Sequence, residues 1–120
     1  MRLATVGSVF DRGGTGTVAQ ATVPFTVTNR GDETVFVPGC GGQLSASIER
    51  GVGDHWEQYS GGFCLAVNAQ APIALRAGQR LTSEFPFYEP GYYRIRISWG
   101  MDASAVYGDD SVVSNAFTIR

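Results

Sequence analysis

The sequence predicts an all-β domain of about eight short antiparallel strands, a two-layer β-sandwich in preference to a barrel, between which alternation alone does not choose. Three observations predict it. Apolar residues recur at every second position, reversal signals separate the alternating runs, and no window carries apolar residues at i, i+3, i+4 and i+7 over helical length. No helix of three or more turns is therefore expected.

Each element follows from the same alternation. Residues 1–19 read as an edge strand and a loop, with the stretch from Asp11 to Thr17 looser than the rest. Val23, Phe25 and Val27 then alternate with Pro24, Thr26 and Thr28, and Leu44, Ala46 and Ile48 with Ser45, Ser47 and Glu49. Leu81, Phe85 and Phe87 share one phase of the next run, against Thr82, Glu84 and Pro86 on the other. Tyr93, Ile95, Ile97 and Trp99 against Tyr92, Arg94, Arg96 and Ser98 form the most regular run, and Phe117 and Ile119 close the series. Each run fits a half-buried antiparallel strand with one wet face. Between them stand Asn29-Arg30-Gly31-Asp32, Gly51-Val52-Gly53-Asp54, Gly61-Gly62, Ala77-Gly78-Gln79, Pro90-Gly91 and Gly108-Asp109-Asp110, all turn chemistry. The segment Gly100–Ser111 is a long loop with room for one short helical turn.

Composition narrows the function. With 120 residues the chain is one domain, 1–120, large enough to bury about two thirds of its unfolded surface. A hydrophobic fraction of 43% against 17% charged residues excludes intrinsic disorder. A net charge of −2 offers no electrostatic case for nucleic acid, and a monomer is expected. All nine cations are arginine, so lysine chemistry, whether Schiff base or P-loop, is excluded. No apolar run approaches the roughly 18 residues that a membrane helix needs. The start of the chain is not a signal peptide, because Thr5, Gly7 and Ser8 interrupt its apolar stretch. Cys40 and Cys64, an even pair in a small lysine-free chain, read most simply as a disulfide and point to a secreted, periplasmic or cell-surface protein whose leader is absent. The alternative is two unpaired buried thiols.

The run Pro90-Gly91-Tyr92-Tyr93-Arg94-Ile95-Arg96 resembles the turn and strand of bacterial secreted or lipoprotein-type immunoglobulin-like β-sandwich domains. Thr28 to Asp32 followed by Val35-Phe36-Val37, Cys40, Ile48-Glu49-Arg50 before a glycine turn and Trp56, Cys64, Ala77-Gly78-Gln79, and Ser114 to Ile119 resemble further elements in the same order, over roughly residues 20–120. A looser resemblance joins the chain to the bacterial intracellular proteinase inhibitor family. The resemblance implies an immunoglobulin-like fold and a non-catalytic module for binding or structural contact, with a protein or glycan as partner. The looser one implies a proteinase inhibitor that would present Gly100–Ser111 as its exposed loop, and exposed rings suggest a carbohydrate-binding accessory domain.

Several residues carry candidate roles. Pro90 and Gly91 form a structural corner, with Tyr93 burying its ring and bonding backbone there through its hydroxyl. Trp56 is expected as a core ring beside a Cys40–Cys64 bridge. Tyr92, Arg94 and Arg96 face outward as a candidate binding face, since Tyr and Arg dominate interface hot spots; equally, they cover the sheet by stacking on one another. Tyr59, Phe63, Tyr88 and Tyr107 are further exposed rings. No catalytic set, metal or cofactor is expected. His55 is the only histidine, with no nucleophile elbow to serve, and its spacing from Cys40 and Cys64 fits no zinc finger. Asp102, Asp109 and Asp110 are loop carboxylates without an EF-hand pattern. Arg30-Gly31-Asp32 spells an adhesion tripeptide where a turn is needed, Gly31 being expected at positive φ.

Overall fold

The computed structural model describes residues 1–14, 19–60, 71–105 and 110–120. Within them the chain is all-β: β1 (Arg2–Thr5), β2 (Val9–Phe10), β3 (Ala21–Thr28), β4 (Val35–Val37), β5 (Gly39–Cys40), β6 (Gln43–Leu44), β7 (Ser47–Val52), β8 (His55–Ser60), β9 (Ile73–Leu75), β10 (Arg80–Phe87), β11 (Gly91–Ser98), β12 (Ser111–Val113) and β13 (Phe117–Ile119). The only helical element among the described residues is a single 3-10 turn at Ala103–Ala105, inside the long loop. No helix among them is long and apolar enough to cross a membrane.

Two sheets dominate, one of three strands in the order β1-β3-β10 and one of six in the order β2-β13-β11-β7-β8, with β12 also on β11. Two small ladders, β4–β9 and β5–β6, complete the described structure. The alternation read from the sequence sets which side of each large sheet is dry. Ala21, Val23, Phe25 and Val27 of β3, and Tyr93, Ile95 and Ile97 of β11, are all buried and belong to one cluster with Leu3, Ile48, Phe87, Phe117 and Ile119. Phe87 ends β10 in the first sheet, yet its ring centroid lies 4.8 Å from Tyr93 and 5.4 Å from Phe117 in the second. The chain therefore crosses between sheets through Tyr88-Glu89-Pro90, and the aromatic cluster packs the crossing.

The expectations need correction in several places. Among the described residues, thirteen strands replace about eight. The extra pieces are short ladders of two or three residues and breaks inside runs that alternate in sequence. The Leu44–Ile48 run is one such case: it splits into β6 and β7, with Ala46 outside any strand although packed against the core. The sheets are not wholly antiparallel, because β2 runs parallel to β13. A parallel pair cannot be closed by a tight turn, and here nearly the whole chain separates the two strands. The first segment also changes sheets, β1 pairing with β3 and β2 with β13. Asn115 holds that crossing by accepting from Thr5 N at 3.0 Å and donating to Thr5 Oγ1 at 2.7 Å.

Gly31 does not take positive φ; the turn is closed by Asn29 instead. The buried Asn29 amide donates to the carbonyls of Glu33 (2.7 Å) and Leu75 (2.9 Å), and its Oδ1 accepts from Gly31 N (3.0 Å). The last strand is interrupted in a related way. Between β12 and β13, Ser114 donates N–H to the Ile95 carbonyl and accepts Ile95 N–H on its Oγ, so the gap leaves no orphaned backbone group on β11 there.

Candidate functional site

The outward face of the six-stranded sheet holds the sequence-predicted residues Tyr92, Arg94 and Arg96. β11 is central, and its register places Arg94 opposite Glu49 and Arg96 opposite Ser47 on β7. β7 in turn pairs Gly51 with Trp56 and Glu49 with Gln58 on β8. Residues directly opposite in an antiparallel pair share a face. Tyr92, Arg94, Arg96, Glu49, Gly51 and Trp56 therefore form one surface.

That surface is a continuous ladder of contacts. The Tyr92 and Trp56 rings stack with centroids 5.5 Å apart and planes at 26°. The Arg94 guanidinium lies 4.4 Å from the Trp56 ring, a cation–π contact. Arg94 Nε donates to Glu49 Oε1 at 2.5 Å, and Arg96 donates from Nε to Glu49 Oε2 at 3.0 Å and from Nη2 to Oε1 at 3.3 Å. Arg96 Nη1 reaches Ser111 Oγ at 2.7 Å. Gly51 makes room for the aromatic end: a Cβ there would sit 3.1 Å from Tyr92 Cδ2 and 3.7 Å from Trp56 Cζ3. Trp56 is thus not a core ring. β8 borders the sheet, and the register of Trp56 with Gly51 turns its indole outward onto Tyr92 and Arg94.

Electrostatics tie the ladder together. Burial of Glu49 works to raise its carboxyl pKa, but the hydrogen bonds and charges of Arg96 and Arg94 outweigh this and hold the group below the ordinary carboxylate range. Glu49 stays ionised between two cations, and the local sum is one positive charge.

The corner lies on the opposite face of β11. Tyr93 is fully buried, and its hydroxyl donates to the Glu89 carbonyl at 3.0 Å. Its ring leans back over Gly91, where a Cβ would meet three ring and hydroxyl atoms at 3.0 Å. Arg50 closes the corner from β7, donating to the Pro90 carbonyl at 3.0 Å and pairing with Glu89 at 3.3 Å. Tyr59 packs edge-on against Tyr93 at 5.1 Å, so this ring belongs to the corner and not to the outer face. Burial, then the neighbouring Tyr59, push the Tyr93 phenol up to about 12.

The remaining candidates lie apart. His55 sits exposed at the start of β8, between Glu57 (3.1 Å) and Asp54 (3.5 Å), whose hydrogen bonds raise its pKa. Tyr88 is exposed on the sheet crossing, beside the backbone carbonyl that accepts from Arg12 at 2.9 Å. Asp102 accepts from Ser104 within its own loop. Among the described residues no group of three or more His, Cys, Asp or Glu side chains is arranged to hold a metal. Cys40 ends β5, whereas Cys64 lies outside the described residues, and so the Cys40–Cys64 pairing does as well. Phe63, Tyr107, Asp109 and the centre of Gly100–Ser111 are also outside them. Sequence reasoning missed Glu49, Gly51 and Trp56 as members of the face. The outward phase of Glu49 was a usable signal, but its pairing with Arg94 and Arg96 needed the β7–β11 register.

No protein-family model matches the chain, and no curated protein is significantly similar to it. Among solved structures, it is similar to the Pseudomonas fluorescens alkylpurine DNA glycosylase AlkC bound to DNA containing an abasic site analog, with a TM-score of 0.39 and 10% identity. That likeness covers 99% of this chain and 30% of the other, so the chain spans less than a third of that protein's length. A likeness of this degree carries no argument about what this chain does.

Proposed function

We propose that the chain is a non-catalytic, immunoglobulin-like β-sandwich module acting outside the cytoplasm, which contacts a partner protein through the outer face of its six-stranded sheet. The observation that carries this reading is the Tyr92–Trp56–Arg94–Glu49–Arg96 ladder. It joins the residue types that dominate interface hot spots, and it orders them before any partner arrives, which lowers the entropy cost of binding. Two large sheets sharing one core support the sandwich. The Cys40–Cys64 pair supports an oxidising compartment. A protein is favoured over a glycan because Trp56 already packs against Tyr92 and Arg94, leaving less ring surface for a sugar to stack on.

A display selection of random peptides against the whole chain tests the reading, with a Tyr92→Ala variant as counter-screen. Binders that lose affinity on Tyr92→Ala at unchanged melting temperature are expected. Binders indifferent to Tyr92 would refute it. Inhibition across a protease panel, or sugar binding on a glycan array, would favour the inhibitor or the carbohydrate reading instead.

A further inference from the structure

Resting on the outer face as a binding surface, we propose that its reading element is the terminal fork of Arg94, and that the group it takes is a side-chain carboxylate on an acidic segment of the partner protein. The two arginines of the ladder are not equivalent. Arg96 engages Nε and Nη2 with Glu49 and Nη1 with Ser111, so each of its three nitrogens already has an acceptor within the sheet face. Arg94 gives Glu49 only its Nε. Among the described residues nothing accepts a hydrogen bond from its Nη1 or Nη2.

Those two nitrogens are nevertheless held in place. Glu49 fixes the near edge of the guanidinium and Trp56 fixes its plane. The side chain keeps 22% exposure, so it stays within reach of a partner. A planar fork with two parallel N–H bonds matches a carboxylate bidentately, and a fork already immobilised loses little freedom on pairing. Tyr92, half exposed beside it, adds ring surface for the stem of an acidic residue.

Charge selects among anions. Arg94 and Arg96 against Glu49 leave one uncancelled positive charge, which balances a carboxylate and under-neutralises a phosphate dianion. With a net charge of −2, the whole chain offers no broad positive field for a polyanion.

The display selection on the intact chain, read for composition, tests the proposal. Peptides that depend on Tyr92 are expected to carry Asp or Glu. Replacing that residue by Gln or Asn in the peptide should cost on the order of tenfold in affinity, the range of a charge-assisted hydrogen bond. Arg94→Gln should cost a similar factor. Arg94→Lys, which keeps the charge but lacks the fork, should recover only part of it, whereas a phosphoserine peptide should gain nothing over the glutamate peptide. Melting temperatures of both variants are measured alongside, and the peptide Glu→Gln exchange gives an answer even where a variant is unstable. Tyr92-dependent peptides without acidic residues, or indifferent to Arg94→Gln, would overturn the carboxylate proposal and leave the face standing. Peptides that never depend on Tyr92 would remove both.

Discussion

Replacing Tyr93 by Phe deletes one oxygen from a fully buried aromatic ring at the corner. The ring stays, so its contacts with Phe87, Phe117 and Tyr59 are retained, and what disappears is the 3.0 Å hydrogen bond to the Glu89 carbonyl. A net hydrogen bond contributes about 0.5–1.5 kcal/mol, with more lost if the carbonyl is left unpaired away from water. For a domain of this size that corresponds to a fall in melting temperature of about 2–6 °C. Tyr92→Phe removes the same atom one residue earlier from a half-exposed ring, whose hydroxyl is served by solvent, and should change stability by less than about 0.5 kcal/mol. Urea and thermal unfolding of the two variants beside the wild type make the comparison under identical conditions. Alkaline titration adds an independent check. The Tyr93 phenol is raised from near 10 to about 12 in the folded chain, so its contribution to stability is complete below about pH 10 and declines as pH rises toward 12. Tyr93→Phe should abolish that decline. If Tyr92→Phe proves the costlier change, or Tyr93→Phe matches wild type in both experiments, the inward placement of Tyr93 and the corner bond are refuted.

Other consequences are equally specific. Glu49→Gln leaves Arg94 and Arg96 facing each other without their counter-ion and should cost about 1–3 kcal/mol in denaturant unfolding. Because the folded Glu49 carboxyl lies below its unfolded range, its contribution is present above the ordinary carboxylate pKa and is lost as pH falls through the folded value; the Gln variant should lack that acid-side loss. Gly91→Ala should displace the Tyr93 ring, since the added methyl meets it at 3.0 Å, and cost about 1–3 kcal/mol by calorimetry. If Cys40 and Cys64 are bonded, the unfolded, unreduced chain should show no thiol by Ellman titration, and reduction should lower stability by about 3–4 kcal/mol, the loop-entropy value for a closure of this length; two titratable thiols would remove that bond.

By itself the sequence determined the facing of the strands. Alternation has a period of two, so a run such as Tyr93, Ile95 and Ile97 must put its three apolar side chains on one side and Tyr92, Arg94 and Arg96 on the other, whatever the partner strand. The corner was legible for the same reason: Pro90-Gly91 breaks the run locally, and Tyr93 lies within reach of the backbone it bonds. Tertiary structure alone decided which strands are neighbours and in what register. That Glu49 sits between Arg94 and Arg96, that Trp56 of the β7–β8 hairpin meets Tyr92 and Arg94 of β11, and that β2 runs parallel to β13 all depend on pairings between segments far apart in the chain. Local pattern is blind to such pairings, because a glutamate on the wet phase of one strand is equally compatible with any facing strand. The energy that selects one register is distributed over the whole buried face, in the shared cluster of both sheets, and is carried by no single motif.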